Sequence, residues 1–114
     1  MCSMGARKIM ARYNEKQIPY AVQEQLVNAF CKMLADLKTP LAVHDFLKDL
    51  LNRQERMMLI RRLLIAKLLT DGFTYRAICD KMKCGNSTIA RVERWLRFGR
   101  GGYEKALKLL KIKV

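Results

Sequence analysis

Residues 74–96, TYRAICDKMKCGNSTIARVERWL, predict two short helices joined by a tight turn. The first helix begins at Thr74, whose hydroxyl is suited to capping a helix start, and continues to about Lys83. The second opens at Asn86, again a capping residue, and Gly85 before it is available for a backbone conformation that other residues resist. A helix, a short turn containing glycine and a second helix form the pattern of a DNA-binding helix-turn-helix.

The packing of two crossed helices explains the residue types along this stretch. Cys79 supplies the small side chain needed where the helices cross most closely, and Cys84 fills the corner between them. The apolar inner faces are formed by Ile78, Met82, Ile89 and Val92. The outward residues of the second helix are small, polar or cationic, as base edges and phosphates require: Ser87, Thr88, Ala90, Arg91 and Arg94. The alternative is an ordinary helical hairpin with a solvated basic face.

Composition favours one all-α domain with a polyanionic partner. The chain has 114 residues, about half of them apolar, and only two prolines. Its net charge of +13 is uneven, because residues 53–114 carry 16 Lys/Arg against 5 Asp/Glu, a balance of +11. Such a field attracts nucleic acid, and the competing partner is an anionic membrane surface or an acidic protein.

The sequence contains no constellation of residues that predicts an enzyme or a metal site. Its four cysteines include no C-x-x-C pair, and the one histidine lies far from metal-ligand spacing. A glycine-rich phosphate loop, clustered carboxylates and a nucleophile with a base are all missing. The missing catalytic groups predict that the protein is not an enzyme. Reduced thiols and the absence of a secretory signal predict that it is cytoplasmic.

The helical pattern divides the chain into an arm and one domain. Residues 1–18 are predicted to be a loosely ordered N-terminal arm, and residues 19–114 a single helical domain with the helix-turn-helix at 74–97. Apolar residues at helical spacing predict a first helix over 19–38 and a second over 39–51.

The third helix is apolar on nearly every side. Asn52 and Glu55 form a capping-box pattern at its start, and ten of the thirteen residues in 57–69 are apolar. A chain of this length has little material to surround such a helix, so burial against a second copy, a homodimer, is inferred. The pair Asp71-Gly72 ends this helix, and a last helix is predicted from Tyr103 to about Ile112.

Six helices with the helix-turn-helix fourth and fifth resemble the Trp repressor family over residues 20–111. The local matches are Leu50-Leu51-Asn52-Arg53-Gln54-Glu55, Arg62-Leu63, Thr74-Tyr75-Arg76 and Ser87-Thr88-Ile89-Ala90-Arg91. The tail FGRGGYEKAL is more similar to the short Trp-repressor-related proteins, the YerC/YecD type, than to the tryptophan-sensing repressor. The resemblance implies an intertwined homodimer that represses transcription at operators with two-fold symmetry.

The resemblance also implies which side chains meet the ligands. Arg76 matches a family arginine that reaches DNA, and Ser87 and Thr88 match the first turn of the recognition helix. Asn86 and Lys83 lie beside them in sequence. With the outward cations Arg91 and Arg94, these residues are the predicted DNA-binding set.

A small-molecule co-repressor is a further implication of the resemblance. Arg62 and Arg91 match the two arginines that sandwich the indole ring in tryptophan-sensing members. Where those proteins have small residues, this chain has Val92 and Trp95, so its own indole is expected to occupy the space of a bound one. No cofactor is expected to be required, and a different effector, or none, is favoured over tryptophan.

The leading hypothesis is therefore a cytoplasmic, dimeric, sequence-specific regulator of transcription, a repressor, that binds double-stranded DNA. The alternative from another class is a basic helical module that binds an anionic membrane or an acidic protein without reading DNA sequence. RNA binding lacks its usual aromatic stacking platform here.

Overall fold

Six α-helices make up the computed structural model, which describes residues 18–113 of the chain. The helices are α1 (Tyr20–Leu37), α2 (Pro40–Leu50), α3 (Arg53–Thr70), α4 (Tyr75–Met82), α5 (Asn86–Phe98) and α6 (Gly102–Leu109). The described residues contain no strand, which confirms the predicted all-α, six-helix fold. The predicted N-terminal arm lies almost wholly outside the described residues.

Two compact units, residues 1–46 and 47–114, divide the chain within α2. In the first unit, α1 follows Pro19, and the ring of Phe30 lies 6.1 Å, centroid to centroid, from the ring of Phe46. Thr39 caps α2 by accepting from the backbone N–H of Ala42 at 3.1 Å. Neither α1 nor α2 has a fully buried residue, and Leu26, Val27 and Leu41 stay more than half exposed within one chain.

The start of α3, in the second unit, is fixed by the predicted capping box. The Asn52 side chain accepts from the backbone N–H of Glu55, and the Glu55 carboxylate accepts from the backbone N–H of Asn52, both at 2.8 Å. Arg56, one turn further, donates to the carbonyl of Leu51 at 2.6 Å and satisfies a backbone group that follows α2.

The end of α3 confirms the predicted Asp71-Gly72 stop. Gly72 has φ +91, a left-handed value that glycine adopts without steric penalty, and the backbone N–H of Phe73 returns to the carbonyl of Leu68 at 3.0 Å. Lys67 and Asp71 form an ion pair across the last turn.

The core of the second unit comes from three helices: α3, α4 and α5. Its six buried side chains are Ile65, Ala66, Leu68, Ile78, Ile89 and Val92. Only the C-terminal half of α3 takes part, whereas Met57, Met58, Leu59 and Ile60 are 42–55% exposed in the single chain. The apolar side chains on the first turns of α3 are therefore exposed to solvent in the single chain.

The last helix differs from its prediction at both ends. It begins at Gly102 and ends at Leu109, three residues before the predicted Ile112, because Leu110 has extended backbone angles of φ −77° and ψ 123°. Tyr103 and Leu107, from the predicted apolar face, pack against the core as expected. No helix in the described part of the chain is long and apolar enough to cross a membrane.

Candidate nucleic-acid interface

The hairpin of α4 and α5 is closed by a turn whose geometry differs from the prediction. Thr74 caps α4 as predicted, accepting from the backbone N–H of Ala77 at 3.1 Å. The left-handed residue of the turn is Lys83 (φ +55°), whose backbone N–H donates to the carbonyl of Cys79 at 2.9 Å. Gly85 instead has φ −93°, which any residue can adopt, so the prediction that it supplies the special conformation was wrong. Helix α4 ends at Met82 because the left-handed backbone of Lys83 cannot continue an α-helix.

Apolar contacts hold α5 against α4 as the sequence predicted. Ile78 from α4 and Ile89 from α5 are fully buried, Val92 is 3% exposed, and Met82 packs partly buried against them. The Cys79 thiol donates to the Asn86 side-chain oxygen at 3.2 Å, where α5 begins. Burial, and to a lesser degree the nearby Cys79 thiol, raise the pKa of the Cys84 thiol, which keeps it protonated as a small apolar filler.

A polar connection between the two helices was missed by the sequence prediction. The Tyr75 hydroxyl donates to one oxygen of the Glu93 carboxylate, and Arg97 donates to the other oxygen through Nε at 3.1 Å and Nη2 at 2.9 Å. The bond from Tyr75, and then those from Arg97, hold the pKa of Glu93 below its ordinary 4.5. The same bond raises the pKa of Tyr75 above 10.0. Helix α5 is thus fixed to α4 at its centre as well as at its start.

The Glu93 connection predicts a specific pH dependence of stability. Because the folded pKa is lowered, the carboxylate stabilises the fold above about pH 4.5, and this contribution is lost as the pH falls through the folded pKa. We expect Glu93→Gln to be less stable than the parent chain at pH 7, with the difference shrinking below pH 4.5. Urea unfolding at several pH values measures this difference in the free energy of unfolding. Glu104→Gln, which removes an exposed carboxylate without an ion pair, is the control, and a pH-independent difference would contradict the assignment.

The outer face of α5 is identified by the positions of its buried residues. Successive residues of an α-helix are rotated by about 100°, so the face opposite Ile89 and Val92 carries Ser87, Ala90, Arg91 and Arg94. All four of these residues are exposed. This face presents the predicted small and cationic side chains to solvent, in a form that suits the major groove.

The other predicted DNA-binding residues lie around this face. Arg76 is exposed in the first turn of α4, and Lys83 is exposed in the turn. Thr88 is half-buried on the flank of α5, towards α3 and α6. The Asn86 side-chain oxygen accepts one hydrogen bond from Cys79, which leaves its second lone pair and both amide N–H groups for a partner.

Beside the outer face lies a cleft of about 950 Å³ between α3, α5 and the start of α6. Arg62 and Arg91, the predicted effector-binding pair, both line it, as do Ser87 and Thr88. Two further arginines line the same cleft and were missed by the sequence prediction: Arg61 and Arg100. The adjacent pair Arg61-Arg62 was visible in the sequence, whereas nothing there placed Arg100 beside them.

The cleft also corrects the expectation about Trp95. Val92 is buried and contributes to the floor, but the Trp95 side chain is 58% exposed and forms part of the wall. Trp95 is one of the residues that line the cleft, so its side chain borders the open volume. The space for a bound ring is therefore not occupied by the protein's own indole.

Side chains able to hold a metal ion are not gathered anywhere in residues 18–113, where no group of three or more His, Cys, Asp or Glu has the required arrangement. Cys31, Cys79 and Cys84 are free thiols. The outer face of α5 and the start of that helix instead carry guanidinium, hydroxyl and amide groups, which recognise phosphates and base edges.

Comparison with known proteins agrees with this geometry. The family model described as Trp repressor protein matches residues 25–111. The uncharacterized protein YerC of Bacillus subtilis (strain 168) is 35% identical over 88 residues, which cover 77% of this chain and 81% of YerC. The crystal structure of a TrpR-like protein from Eubacterium eligens ATCC 27750 is 33% identical and superposes with a TM-score of 0.64, covering 87% of this chain and all of that one. The chain therefore belongs to the Trp repressor family, a family of DNA-binding regulators.

Proposed function

We propose that this protein is a sequence-specific regulator of transcription that binds double-stranded DNA through α5. The observation that carries the proposal is the exposed outer face of α5, where Ser87, Ala90, Arg91 and Arg94 stand opposite a buried apolar face. Hydroxyl, methyl and guanidinium groups discriminate base edges in the major groove. The connections of α5 to α4 at Asn86 and Glu93 support the rigid presentation that base reading needs.

Charge supports a polyanionic partner on this side of the chain. The excess of +11 lies in residues 53–114, which contain the hairpin and the cleft. Neutralised phosphates release counterions, so the affinity of such a protein falls steeply with salt concentration. A membrane-binding or acidic-protein-binding module shares the charge but does not require the small polar residues at the first turn of α5.

We further propose that the active form is a homodimer acting as a repressor on a two-fold symmetric operator. Family membership supports repression, and the uncovered apolar residues of α1, α2 and the first turns of α3 support the dimer. Two recognition helices in such a dimer lie roughly 34–36 Å apart, one turn of DNA. The operator is then expected to contain two half-sites separated by about one helical turn.

Substitutions in the hairpin should separate base reading from phosphate contact. We expect Arg76→Ala or Thr88→Ala to lose about 1–3 kcal/mol of discrimination between the preferred site and a scrambled one, because base contacts carry that discrimination. Lys83→Ala or Arg94→Ala should weaken binding to both sequences alike and lower the salt slope by about 1. Sites selected from random DNA supply the duplexes, and fluorescence anisotropy measures the affinities.

The same selection tests the whole proposal. A parent chain that enriches no site and shows a flat salt dependence would contradict DNA reading. Co-sedimentation with anionic liposomes, run beside the DNA assay, distinguishes the membrane-binding alternative, which requires binding to the vesicles without a preferred DNA sequence.

We propose that this chain binds DNA without tryptophan as a co-repressor and without any required cofactor. The cleft has room, but its four arginines favour a ligand of net negative charge over a zwitterion, because no Asp or Glu lines it to pair with an ammonium group. We expect selection with millimolar tryptophan to return the same sites and affinities as selection without it. A tryptophan-dependent gain in affinity would overturn this expectation.

A further inference from the structure

We propose that the cleft beside α5 is a phosphate-binding site that holds a backbone phosphate of the DNA read by α5. The site combines Arg61 and Arg62 of α3, Arg91 of α5 and Arg100 of the α5–α6 loop. The inference rests on the proposed function and extends it, because α3 and the α5–α6 loop lie outside the α4–α5 hairpin.

The charge of the cleft is the first argument. Four guanidinium groups line it, and no Asp or Glu is among the lining residues. None of the four forms a hydrogen bond or an ion pair within residues 18–113, in contrast to Arg56 and Arg97, whose donors are occupied. Positive charges that share a concave surface repel one another and focus the potential, so an anion in the cleft is strongly favoured.

The second argument is the supply of neutral donors around the same space. Three residues with hydroxyl groups line it: Ser87 and Thr88 in the first turn of α5, and Tyr103 in the first turn of α6. Glycine precedes each of these helices, so no capping side chain occupies their first N–H groups. Uncapped N–H groups add partial positive charge to a site whose guanidinium groups already select an anion.

The backbone of the loop fixes the place of Arg100. A Cβ atom at Gly99 would lie 2.3 Å from the carbonyl oxygen of Trp95, so only glycine allows the chain to leave α5 along this path. Gly101 has φ +79°, a left-handed conformation, immediately before α6. This path, with glycine on both sides of Arg100, brings Arg100 to the cleft lining.

The position of the cleft identifies the source of the phosphate. Ser87 and Arg91 belong both to the outer face of α5 and to the cleft lining. A duplex that receives α5 in its major groove brings one of its backbones alongside that helix, because a phosphate strand borders each side of the groove. A backbone phosphate is therefore expected to meet the cleft when α5 meets the bases.

The test compares Arg100→Ala with Arg53→Ala on the selected duplex. Arg53 is an exposed arginine at the start of α3 that does not line the cleft. We expect Arg100→Ala to weaken binding to preferred and scrambled DNA alike, by roughly tenfold, as for the loss of one hydrogen bond to a charged group. The slope of log affinity against log salt should fall by about 1, whereas Arg53→Ala keeps the slope of the parent chain.

A second arm separates a DNA phosphate from a free one. Titration of the protein alone with inorganic pyrophosphate, followed by the fluorescence of Trp95, the single tryptophan, reports on the cleft directly. Weakened DNA binding with a lower slope in Arg100→Ala supports the inference. An unchanged salt slope in Arg100→Ala overturns the inference. If that variant has also lost pyrophosphate binding, the cleft is assigned to a free anion instead of a DNA phosphate. Failure of the proposed function is different, because the parent chain itself would then show no preferred site.

Discussion

An Ile60→Asp variant is expected to be a monomer with the mass of one 13.3 kDa chain. Ile60 is 45% exposed in the single chain and belongs to four consecutive exposed apolar residues on α3. If a second chain covers these residues, an aspartate there is an unpaired buried charge, which costs about 3–5 kcal/mol at such a position. Two symmetric copies of the substitution double that penalty.

Loss of the dimer should also be visible in DNA binding. A monomer engages one half-site at a time and loses the avidity gain of two linked sites, which is of the order of 10²–10⁴. Light scattering measures the mass, and anisotropy measures affinity for duplexes with one and two half-sites. Leu109→Asp, at a residue 79% exposed on α6, is the matched control and should remain dimeric. A dimeric Ile60→Asp protein would exclude this surface as the interface.

An Ile89→Ala variant is expected to lower the free energy of unfolding by about 2–5 kcal/mol. Ile89 has no exposed surface and lies in a core of only six buried side chains, where it meets the residues that α3 and α4 contribute. Removing three carbons leaves a cavity that so small a core has little means of closing. Because domains of this size are stable by only about 5–15 kcal/mol, the loss is a large fraction of the total.

Urea unfolding followed by circular dichroism measures this change, under conditions where the oligomeric state is the same for both proteins. Leu109→Ala is the control, since an exposed residue without a special role changes stability by about 0.5 kcal/mol or less. Equal losses in the two variants would mean that Ile89 is not held in the core as described.

Helix order, and the helix ends that carry a capping residue or a glycine stop, were predictable because local chemistry decides them. Helix α3 begins at the Asn52–Glu55 capping box and helix α4 begins after Thr74, as predicted from the sequence. The predicted Asp71-Gly72 pair ends α3, again through hydrogen bonds within a few residues. The inner faces of α4 and α5 were predictable for a similar reason, because the 3.6-residue period assigns side chains to a face before any partner is known.

Features that depend on distant residues were not predictable. The bond from Tyr75 to Glu93 joins residues 18 positions apart, and Glu93 in the sequence looks like any acidic residue on an exposed helix face. Arg100 reaches the cleft only through the path that Gly99 and Gly101 give the loop. The exposure of Trp95 likewise follows from how α3, α5 and α6 meet, which no periodicity in α5 alone can specify.

The left-handed backbone of Lys83 has a consequence for how this hairpin divides stability and binding. A residue with a Cβ atom in that conformation costs roughly 1–2 kcal/mol relative to glycine, yet the chain places glycine two residues later, at Gly85, where the backbone is ordinary. Exchanging the lysine for glycine would relax the turn and remove a cation from the side of the hairpin that faces the proposed duplex. The turn thus keeps a lysine where the backbone favours glycine, and under the proposed function this residue exchanges folding free energy for affinity towards DNA.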